Sequence, residues 1–449
     1  MIRALWFILK VAVVIAIAIW LADRPGTVSL HWLGYAIEAP FWLALLAALV
    51  ALGIAALGYR LLRAVIGAPR RMRIRSRTRR RERGYRALTQ GMVAIAAGDA
   101  QTARKMARKA DVLLNEPPLT MLLSAQAAQL QGDERAAKEY FTAMLERPET
   151  AFLGMRGLLT QAIKSGDRVE ALTLARKART LQPNTPWLLG TLYDLEAQAG
   201  DWAAAEGTLQ QAIQAGAIPT DEGRRHRSVL LLERSFEAER RGRADAALSH
   251  AQAAYDTMPG FVPAAVRLAR LHIDADRLKP AAKVVERAWR QSPHPELAEV
   301  YRSIVDSYDP LTRVRLFQKL VRQSPDSAES HMAVGRAAMD AQLWGDARQH
   351  LERALEIAPS RRLYRLMAEL DRTERHDEDA AAAWLAKAAA APADPSWTCR
   401  SCGAVSHAWG GLCGNCGAFD SLTWKAAVTA PPLMEPTDIP PALARPATA

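Results

Sequence analysis

The sequence lacks the short motifs that mark the common classes of enzyme. Its 449 residues contain no Gly-rich phosphate loop, no GxGxxG fingerprint, no GxSxG elbow and no HExxH pair, so these signatures of nucleotide binding, serine hydrolysis and zinc proteolysis are missing. No CxxCH motif is present for covalent attachment of haem. The histidines in helical stretches are scattered without the spacing of metal ligands. We therefore predict that the chain is not an enzyme.

Cysteine is scarce as well, and its placement is informative. The four cysteines all lie in the stretch WTCRSCGAVSHAWGGLCGNCGAFDSLTW, as two CxxC pairs with ten residues between them: Cys399 and Cys402, then Cys413 and Cys416. Two such pairs supply the four thiolates of a closed tetrahedral site. We predict a metal site here, with Zn2+ as the first choice and Fe as the alternative. Two disulfides or free thiols are the other interpretations.

The short gap between the pairs predicts a minimal zinc-ribbon or rubredoxin-like knuckle over residues 392–425. Gly403 and Gly417 follow the pairs, where the chain must turn back and donate backbone amides to sulfur. A module of so few residues needs a bound metal to stay folded. Its expected apolar core consists of Trp397, Trp409, Phe419 and Trp424. His407 is expected to be a surface or packing residue, because four sulfurs already satisfy the ion.

Two long apolar runs lie near the N-terminus, at residues 4–22 and 40–66. Each is long enough to cross a bilayer as a helix. A secretory signal peptide is the alternative for the first run, but Trp20-Leu21-Ala22 is a poor cleavage site and a second run follows closely. We predict a membrane anchor of two transmembrane helices over residues 1–69.

Positive charge is concentrated beside the second run. Residues 60–86 hold twelve arginines and one acidic residue, a net of +11 out of the chain's +12, whereas residues 23–39 carry a net of −1. Because positive charge near a span stays in the cytoplasm, both termini are predicted to be cytoplasmic. The polybasic segment from Arg70 to Arg86 is expected to contact anionic lipid headgroups. Nucleic acid is not expected, because only Tyr85 is aromatic there.

The loop between the two runs, TVSLHWLGYAIEA, alternates apolar and polar residues around Gly34. This pattern is typical of a small β-hairpin on the membrane surface. An irregular connector is the equal alternative.

One dipeptide recurs at a fixed interval after the anchor. Gly-Asp occurs at residues 98–99, 132–133, 166–167 and 200–201, in steps of 34 residues. This period is typical of tetratricopeptide hairpins, in which two helices joined by a tight turn cannot bury their apolar face alone. Alanines seven residues apart recur in phase with the turns: Ala103/Ala110, Ala171/Ala178, Ala205/Ala212, Ala247/Ala254, Ala281/Ala288 and Ala347/Ala354. An Ala-rich bundle with accidental spacing is the alternative.

The repeat register is interrupted after the fourth Gly-Asp turn. The step from Gly200 to Gly242 is 42 residues. This excess predicts a lengthened first helix between Thr220 and Arg241.

A second interruption falls at residues 295–323. This unit has no Gly turn and carries Arg313 and Leu320 at the alanine positions. We predict an all-α solenoid of about nine hairpins over residues 84–391, with protein partners in its groove and the specific partner site near the two interruptions. The Pro- and Ala-rich tail, 426–449, is expected to be disordered.

The order of these features resembles the HemY family of proteobacterial inner-membrane tetratricopeptide proteins. The resemblance rests on DRPGTVSLHWLGYAIEA, on the arginine run and on RGYRALTQGMVAIAAGDAQTARKMARKA, and residues 23–110 are its most specific part. It implies the bacterial inner membrane and a scaffold role late in protoheme (porphyrin) synthesis, with the enzymes of that step as suspected partners. It implies no catalytic residues. A groove that binds haem or porphyrin is a further interpretation that no residue demands.

The ribbon resembles instead the end of the lipopolysaccharide assembly protein B group. In that group, a membrane anchor, tetratricopeptide repeats and a rubredoxin-like knuckle regulate turnover of an early lipid A enzyme. The resemblance implies an adaptor for proteolysis of a lipopolysaccharide-synthesis enzyme. The group has a single span and this sequence has two apolar runs, so the haem-related role is our first prediction and the proteolytic adaptor is the alternative.

Overall fold

The structure, a computed structural model, describes residues 2–22, 26–32, 35–114 and 116–426. The chain divides into two compact units, Met1–Ala137 and Lys138–Ala449. The predicted tail lies outside the described residues, apart from Ala426.

The first unit contains the apolar runs and the start of the repeats. Its elements are α1 (Ile2–Ala22), β1 (Thr27–Trp32), β2 (Tyr35–Pro40), α2 (Phe41–Ala96), α3 (Ala100–Leu114) and α4 (Pro117–Leu130). β1 and β2 pair antiparallel, from Thr27↔Pro40 to Trp32↔Tyr35. The loop between the apolar runs is therefore a β-hairpin rather than an irregular connector.

α2 is one helix of 56 residues that begins in the second apolar run and ends in the first repeat. Its part Phe41–Leu62 is long and apolar enough to cross a membrane, and within the described ranges no other helix passes that test. α1 contains a shorter apolar stretch, Ile8–Ile17. The other predicted span, over residues 4–22, therefore stays a prediction.

The second unit contains paired helices followed by a small sheet. α5 (Glu134–Met144) includes the division between the units. The helices that follow are α6 (Pro148–Ser165), α7 (Arg168–Leu181), α8 (Pro186–Gln198), α9 (Trp202–Gln214), α10 (Thr220–Arg240), α11 (Ala244–Thr257), α12 (Val262–Asp274), α13 (Leu278–Trp289), α14 (Pro295–Val305), α15 (Pro310–Gln323), α16 (Ala328–Asp340), α17 (Trp344–Ile357), α18 (Arg361–Glu374) and α19 (Glu378–Ala390). From α2 to α19, the described residues form nine successive helix pairs, which confirms the predicted repeat fold.

The Gly-Asp turns end one helix and begin the next. The four glycines have a left-handed backbone, with φ of 74–76°: Gly98, Gly132, Gly166 and Gly200. A residue without a Cβ avoids the clash that this conformation imposes on other residues. The aspartate that follows caps the second helix, as Asp167 does by accepting a hydrogen bond from the Glu170 N–H at 2.9 Å. The dipeptide therefore specifies both sides of the turn.

Later turns keep this geometry with other residues. Asp276, Gln342 and His376 occupy the left-handed position with φ of 54–57°, at a cost of about 1–2 kcal/mol each relative to Gly. The turn between α14 and α15 instead relies on Asp309, which caps α15 through the Thr312 N–H at 3.0 Å. The Gly-Asp dipeptide is therefore missing from the later repeats, although most of their turns keep the same backbone conformation.

The predicted small-residue stripe lies in the interior of the repeats, on the second helices of the pairs. All twelve alanines of the seven-residue pairs are fully buried. In α15, Leu320 is fully buried but Arg313 remains 25% exposed. The lengthened first helix is confirmed, since α10 has 21 residues.

The C-terminal part is a three-stranded antiparallel sheet of order β4-β3-β5. Its strands are β3 (Pro395–Cys399), β4 (Val405–Ser406) and β5 (Leu422–Ala426). Residues 395–426 are called the ribbon below.

Candidate metal centre and its docking surface

The fold of the ribbon brings the four cysteine sulfurs together. Cys399 Sγ lies 3.8 Å from Cys416 Sγ, and Cys402 Sγ lies 3.7 Å from Cys413 Sγ. All four sulfurs are within 4.8 Å of one another, and none is in a disulfide. A Zn–S bond of about 2.3 Å places tetrahedral sulfurs about 3.8 Å apart. The four cysteines therefore fit around one ion.

The two knuckles turn at glycines, as predicted. Gly403 and Gly417 have φ of 74° and 70°. Their own amides donate to the carbonyls of Cys399 (3.0 Å) and Cys413 (2.8 Å) and so close the two turns. Other backbone amides of the knuckles reach the sulfurs: Ser401 N donates to Cys399 Sγ at 3.3 Å, and the amides of Ala404 and Ala418 bond Cys402 and Cys416. The glycines thus set the turns, and neighbouring backbone amides supply the N–H···S bonds.

The thiols share their protons unequally. Burial acts to raise the pKa of Cys399, but the Ser421 hydroxyl and nearby backbone amides outweigh it and lower the pKa to about 5. The Ala418 amide acts to lower the pKa of Cys416, but burial and the neighbouring thiols raise it to about 12. Four sulfurs this close become thiolates together only around a cation. The donor set suits a sulfur-preferring ion such as Zn2+ or Fe.

The apolar core of the ribbon differs from the predicted set of four aromatics. Its own buried residues are Trp397, Cys399, Cys413 and Leu422. Trp409 and Trp424 are only partly buried against it, and Phe419 packs among the repeat helices instead. The prediction is confirmed for Trp397 and wrong for Phe419, because it treated the ribbon as free-standing. His407 is exposed, as expected.

The ribbon packs against the repeat helices of its own unit. Most of the helix residues that it contacts belong to the first helices of successive pairs, or to the residues just before them. We call the following set the docking surface: Tyr193, Arg225, His226, Glu233, Phe261, His294 and Glu296.

Two carboxylates fix the polar part of this contact. Arg225 Nε and Nη2 donate to the two carboxylate oxygens of Asp420 at 2.6 and 3.0 Å, and the Asp420 side chain is only 1% exposed. Glu233 Oε1 accepts a hydrogen bond from the Gly411 amide at 2.7 Å. Burial raises the pKa of Glu233, and the Gly411 amide partly offsets that rise. Both contacts join α10 to the second half of the ribbon.

Aromatic rings fill the space beside these carboxylates. The Phe419 ring lies 5.5 Å from His226, 5.9 Å from Tyr193 and 6.3 Å from Trp202, between ring centroids. Separations of this size are favourable for aromatic pairs. Further along the helices, Trp409 lies against Phe261 in an edge-to-face contact at 5.3 Å.

His294 connects the start of α14 to the paired strands β3 and β5 of the ribbon. Its ring centroid lies 4.3 Å from that of Trp424 and 5.6 Å from that of Trp397. Trp397 Nε1 donates to Glu296 Oε1 at 2.6 Å. Burial, assisted by the charge of Arg362, lowers the pKa of His294 to about 4. The imidazole is therefore neutral at pH 7, which suits a ring packed against two indoles.

Both interruptions of the repeat register contribute to the docking surface. The lengthened helix α10 supplies Arg225, His226 and Glu233, and α14 of the pair without a Gly turn supplies Glu296. The sequence indicated where an unusual contact would lie. It did not indicate that the chain's own ribbon would make it.

A separate cavity of about 310 Å³ lies further along the repeats, between α14, α16 and α18. Ala298, Met332 and Ala333 are among its lining residues. At its edge, Arg336 pairs with Glu369 at 2.6 Å and Arg362 pairs with Glu329. This part of the groove combines an apolar floor with charged walls.

Comparison with protein families identifies three parts of the chain. Residues 26–132 match the model described as HemY protein N-terminus, residues 238–304 match a tetratricopeptide repeat, and residues 397–423 match a rubredoxin metal binding domain. These matches confirm the family resemblance predicted from the sequence for the N-terminal region and for the ribbon.

One curated relative matches over nearly its whole length. The probable magnetosome protein Mms48 of Magnetospirillum gryphiswaldense is 27% identical over 440 residues, which cover 96% of this chain and 95% of that protein. Among solved structures, a thermophilic tetratricopeptide protein of Thermus thermophilus is 20% identical and covers 36% of this chain and 91% of its own, with a TM-score of 0.26. A tetratricopeptide repeat protein of Parabacteroides merdae is 14% identical and covers 56% and 93%, with a TM-score of 0.28.

The chain thus combines a region that matches the HemY protein N-terminus, tetratricopeptide repeats and a C-terminal region that matches a rubredoxin metal binding domain.

Proposed function

We propose that this chain is a non-enzymatic adaptor of the bacterial inner membrane whose repeats bind protein partners in a late step of protoheme synthesis. The observation that carries the proposal is the match of residues 26–132 to the HemY protein N-terminus. This match includes the β-hairpin, the long helix α2 and the first repeat turn. The repeats supply the extended surface that tetratricopeptide proteins use to bind other proteins.

The anchor consists of two spans, residues 4–22 and 40–66, within a membrane domain over residues 1–69. Both termini, the repeats over residues 84–391 and the knuckle predicted over residues 392–425 lie in the cytoplasm. The net charge of +11 over residues 60–86 supports this orientation, because cytoplasmic flanks of spans are enriched in Lys and Arg.

Anionic lipid headgroups contact the polybasic segment mainly at its beginning. α2 continues as a helix past Ile66, the end of the proposed span, and at a rise of about 1.5 Å per residue Arg70 lies about 6 Å beyond Ile66 and Arg86 about 30 Å beyond it. Charges attract across about 8 Å at physiological salt. Arg81 is paired instead with Glu116, at 2.8 Å. The later arginines therefore belong to the first repeat rather than to the membrane surface.

Cys399, Cys402, Cys413 and Cys416 hold one structural ion, Zn2+ or Fe. The ion would supply four metal–sulfur bonds that close the ribbon, and four protein ligands leave no position for a substrate. The protein partner lies in the part of the groove that the ribbon leaves open, where the cavity between α14, α16 and α18 offers an apolar floor.

Affinity capture of the full chain in detergent tests this function. Recovery of ferrochelatase or a porphyrin oxidase supports it, and a matched chain with Met332→Glu and Ala333→Glu in the cavity should recover neither. A deletion strain that accumulates no porphyrin intermediates would count against a role in protoheme synthesis. A carrier role for the groove is tested separately, by adding porphyrin to the purified protein and following its absorbance band.

The second candidate function is an adaptor for proteolysis of a lipopolysaccharide-synthesis enzyme. The rubredoxin metal binding domain at residues 397–423 favours it, because the group that it resembles carries such a knuckle after its repeats. Capture of a protease together with a lipid A enzyme, without enzymes of porphyrin synthesis, would replace the first proposal with this one.

A further inference from the structure

One dipeptide of the ribbon, Phe419-Asp420, makes the central contact with the docking surface. The Phe419 ring lies among three aromatic rings at 5.5–6.3 Å, and the Asp420 carboxylate receives both hydrogen bonds of Arg225. The surface therefore recognises an aromatic ring followed by a carboxylate.

The presentation of this dipeptide depends on the fold of the ribbon. Asp420 has a left-handed backbone with φ of 43°, a conformation that is strained for a residue with a Cβ. It is held by the bond from its N–H to the Gly411 carbonyl, at 2.8 Å, and by the bridge between Leu412 and Phe419. A relaxed chain does not hold this arrangement.

The fold of the ribbon depends in turn on the sulfur cluster. Two of the four residues in its own buried core are the predicted metal ligands Cys399 and Cys413, and no disulfide is present among the four cysteines. A module of this size without a disulfide needs an ion to remain folded. Removal of the ion therefore removes the conformation in which Phe419-Asp420 meets the docking surface.

The docking surface itself belongs to the repeats and does not need the ion. Tyr193 packs in a cluster with Leu209 and Leu230 of neighbouring helices, and Arg225 lies over the Phe261 ring at 5.5 Å. An uncovered surface keeps its charges and its aromatic pocket in place.

We propose that the docking surface is a peptide-binding site to which the metal controls access. With the ion bound, the ribbon covers the site. Without it, the site binds a segment of a protein partner in which an acidic residue follows an aromatic one. This proposal rests on the adaptor function above and specifies the chemistry of one partner segment. The unfolded ribbon stays tethered at a millimolar effective concentration and competes for the site. A partner segment therefore displaces it only if that segment offers both the aromatic ring and the carboxylate.

The test measures fluorescence anisotropy of a labelled peptide with the full chain in detergent. The peptide is GAFDSLTW, residues 417–424, and the control peptide GAADSLTW lacks the ring. We expect the first peptide to bind zinc-stripped protein at least tenfold more tightly than zinc-loaded protein, and to be displaced when Zn2+ is restored. Equal affinity for the two forms overturns the proposal. So does a failure to bind stripped protein that retains its helical circular dichroism.

Variants keep the test decisive where stripping perturbs the repeats. Asp420→Asn in the zinc-loaded chain weakens the contact of the ribbon with Arg225. We expect this variant to bind the peptide at least tenfold more tightly than the unmodified zinc-loaded chain does. Arg225→Gln should abolish peptide binding, whereas its exposed neighbour Arg224→Gln should not. If the chain captures protein partners but binds the peptide neither with zinc nor without it, the adaptor function is supported and the proposed metal control is wrong. Peptide binding without any captured partner would indicate the reverse.

Discussion

The guanidinium of Arg225 donates two hydrogen bonds to the carboxylate of Asp420, a residue 195 positions further along the chain. The pair joins the lengthened helix α10 to the ribbon, and its carboxylate is almost fully buried. Bidentate pairs of this kind are strong and directional. Removing one partner of a buried pair leaves an uncompensated charge, which costs about 3–5 kcal/mol.

Arg225→Gln should therefore loosen the ribbon from the repeats by about 3 kcal/mol or more. Hydrogen exchange of the ribbon amides in the metal-loaded chain measures the change as faster exchange. The matched variant is Arg224→Gln, whose side chain is 60% exposed and 3.7 Å from Asp221. That surface pair should contribute less than about 1 kcal/mol. Equal exchange in the two variants would contradict the importance of the buried pair.

The metal prediction is tested by native mass spectrometry of the full chain. One ion per chain is expected, because the four sulfurs fit one tetrahedral centre. The double variant Cys399→Ser/Cys402→Ser should lose it, while His407→Ala should keep it. The measured mass separates Zn2+ from Fe. An ion retained by the double serine variant would show that the site lies elsewhere.

The stability of the protein should fall in mild acid through His294. Its pKa is about 4 in the folded protein, against about 6.5 in an unfolded chain. Between these values the unfolded chain binds more protons, so the free energy of unfolding decreases as the pH falls from 6.5 towards 4. At pH 5.5 this residue alone should cost about 1 kcal/mol relative to neutral pH. Urea unfolding at several pH values measures the effect.

The control for the pH prediction is His294→Asn. Asparagine retains an acceptor for the start of α14 and does not titrate, whereas any loss of metal in acid affects both proteins equally. The variant should show a shallower pH dependence by about the same 1 kcal/mol. Identical slopes would mean that another group carries the acid sensitivity.

Two glycines should respond to alanine with opposite signs. Gly166 ends α6 with φ of 76°, so Gly166→Ala should destabilise the repeats by about 1–2 kcal/mol. Gly190 lies within α8, and a Cβ there would meet no atom within 4 Å. Gly190→Ala should therefore stabilise by about 0.5–1 kcal/mol. Thermal unfolding of both variants checks the prediction, and a shift of the same sign in both would refute it.

The predicted topology is tested with reporter fusions. A green fluorescent protein at the C-terminus should fluoresce, because the charge of residues 60–86 keeps that side in the cytoplasm. Alkaline phosphatase inserted at Gly34, between β1 and β2, should be active outside. The reverse pattern of activity would contradict the predicted orientation. An inactive phosphatase insertion together with a fluorescent C-terminus would contradict the prediction of two spans.

Most of the fold was predictable because its rules are local. The Gly-Asp dipeptide states where one helix ends and the next begins, and the structure places Gly98, Gly132, Gly166 and Gly200 in the same left-handed turn. Alanines seven residues apart mark the interior side of second helices, and all of them are buried. The CxxC spacing likewise placed the four cysteines in one cluster. The later turns were less readable, since Asp276 and Gln342 adopt the turn conformation without Gly.

One residue of the predicted ribbon core, Phe419, was misplaced for a physical reason. Phe419 looks like a core residue of a small module, but it packs against Tyr193 of the repeats. Trp409 contacts both the ribbon core and Phe261 of the repeats. A module with so few residues buries little surface by itself, and its aromatics gain more by packing on a neighbour. No periodicity in the sequence connects the two regions.

The sequence by itself determined the repeat architecture, the cluster of four cysteines and the charge beside the apolar runs, because each depends on residues close together in the chain. Only the tertiary structure decided what covers the docking surface. The contacts of Arg225 with Asp420 and of Glu233 with Gly411 span 195 and 178 residues, and a pairing at such separation exists only once the repeats have folded and brought α10 to the ribbon. The interruptions in the 34-residue repeat indicated where the docking surface lies, and the fold showed that the ribbon of the same chain covers it.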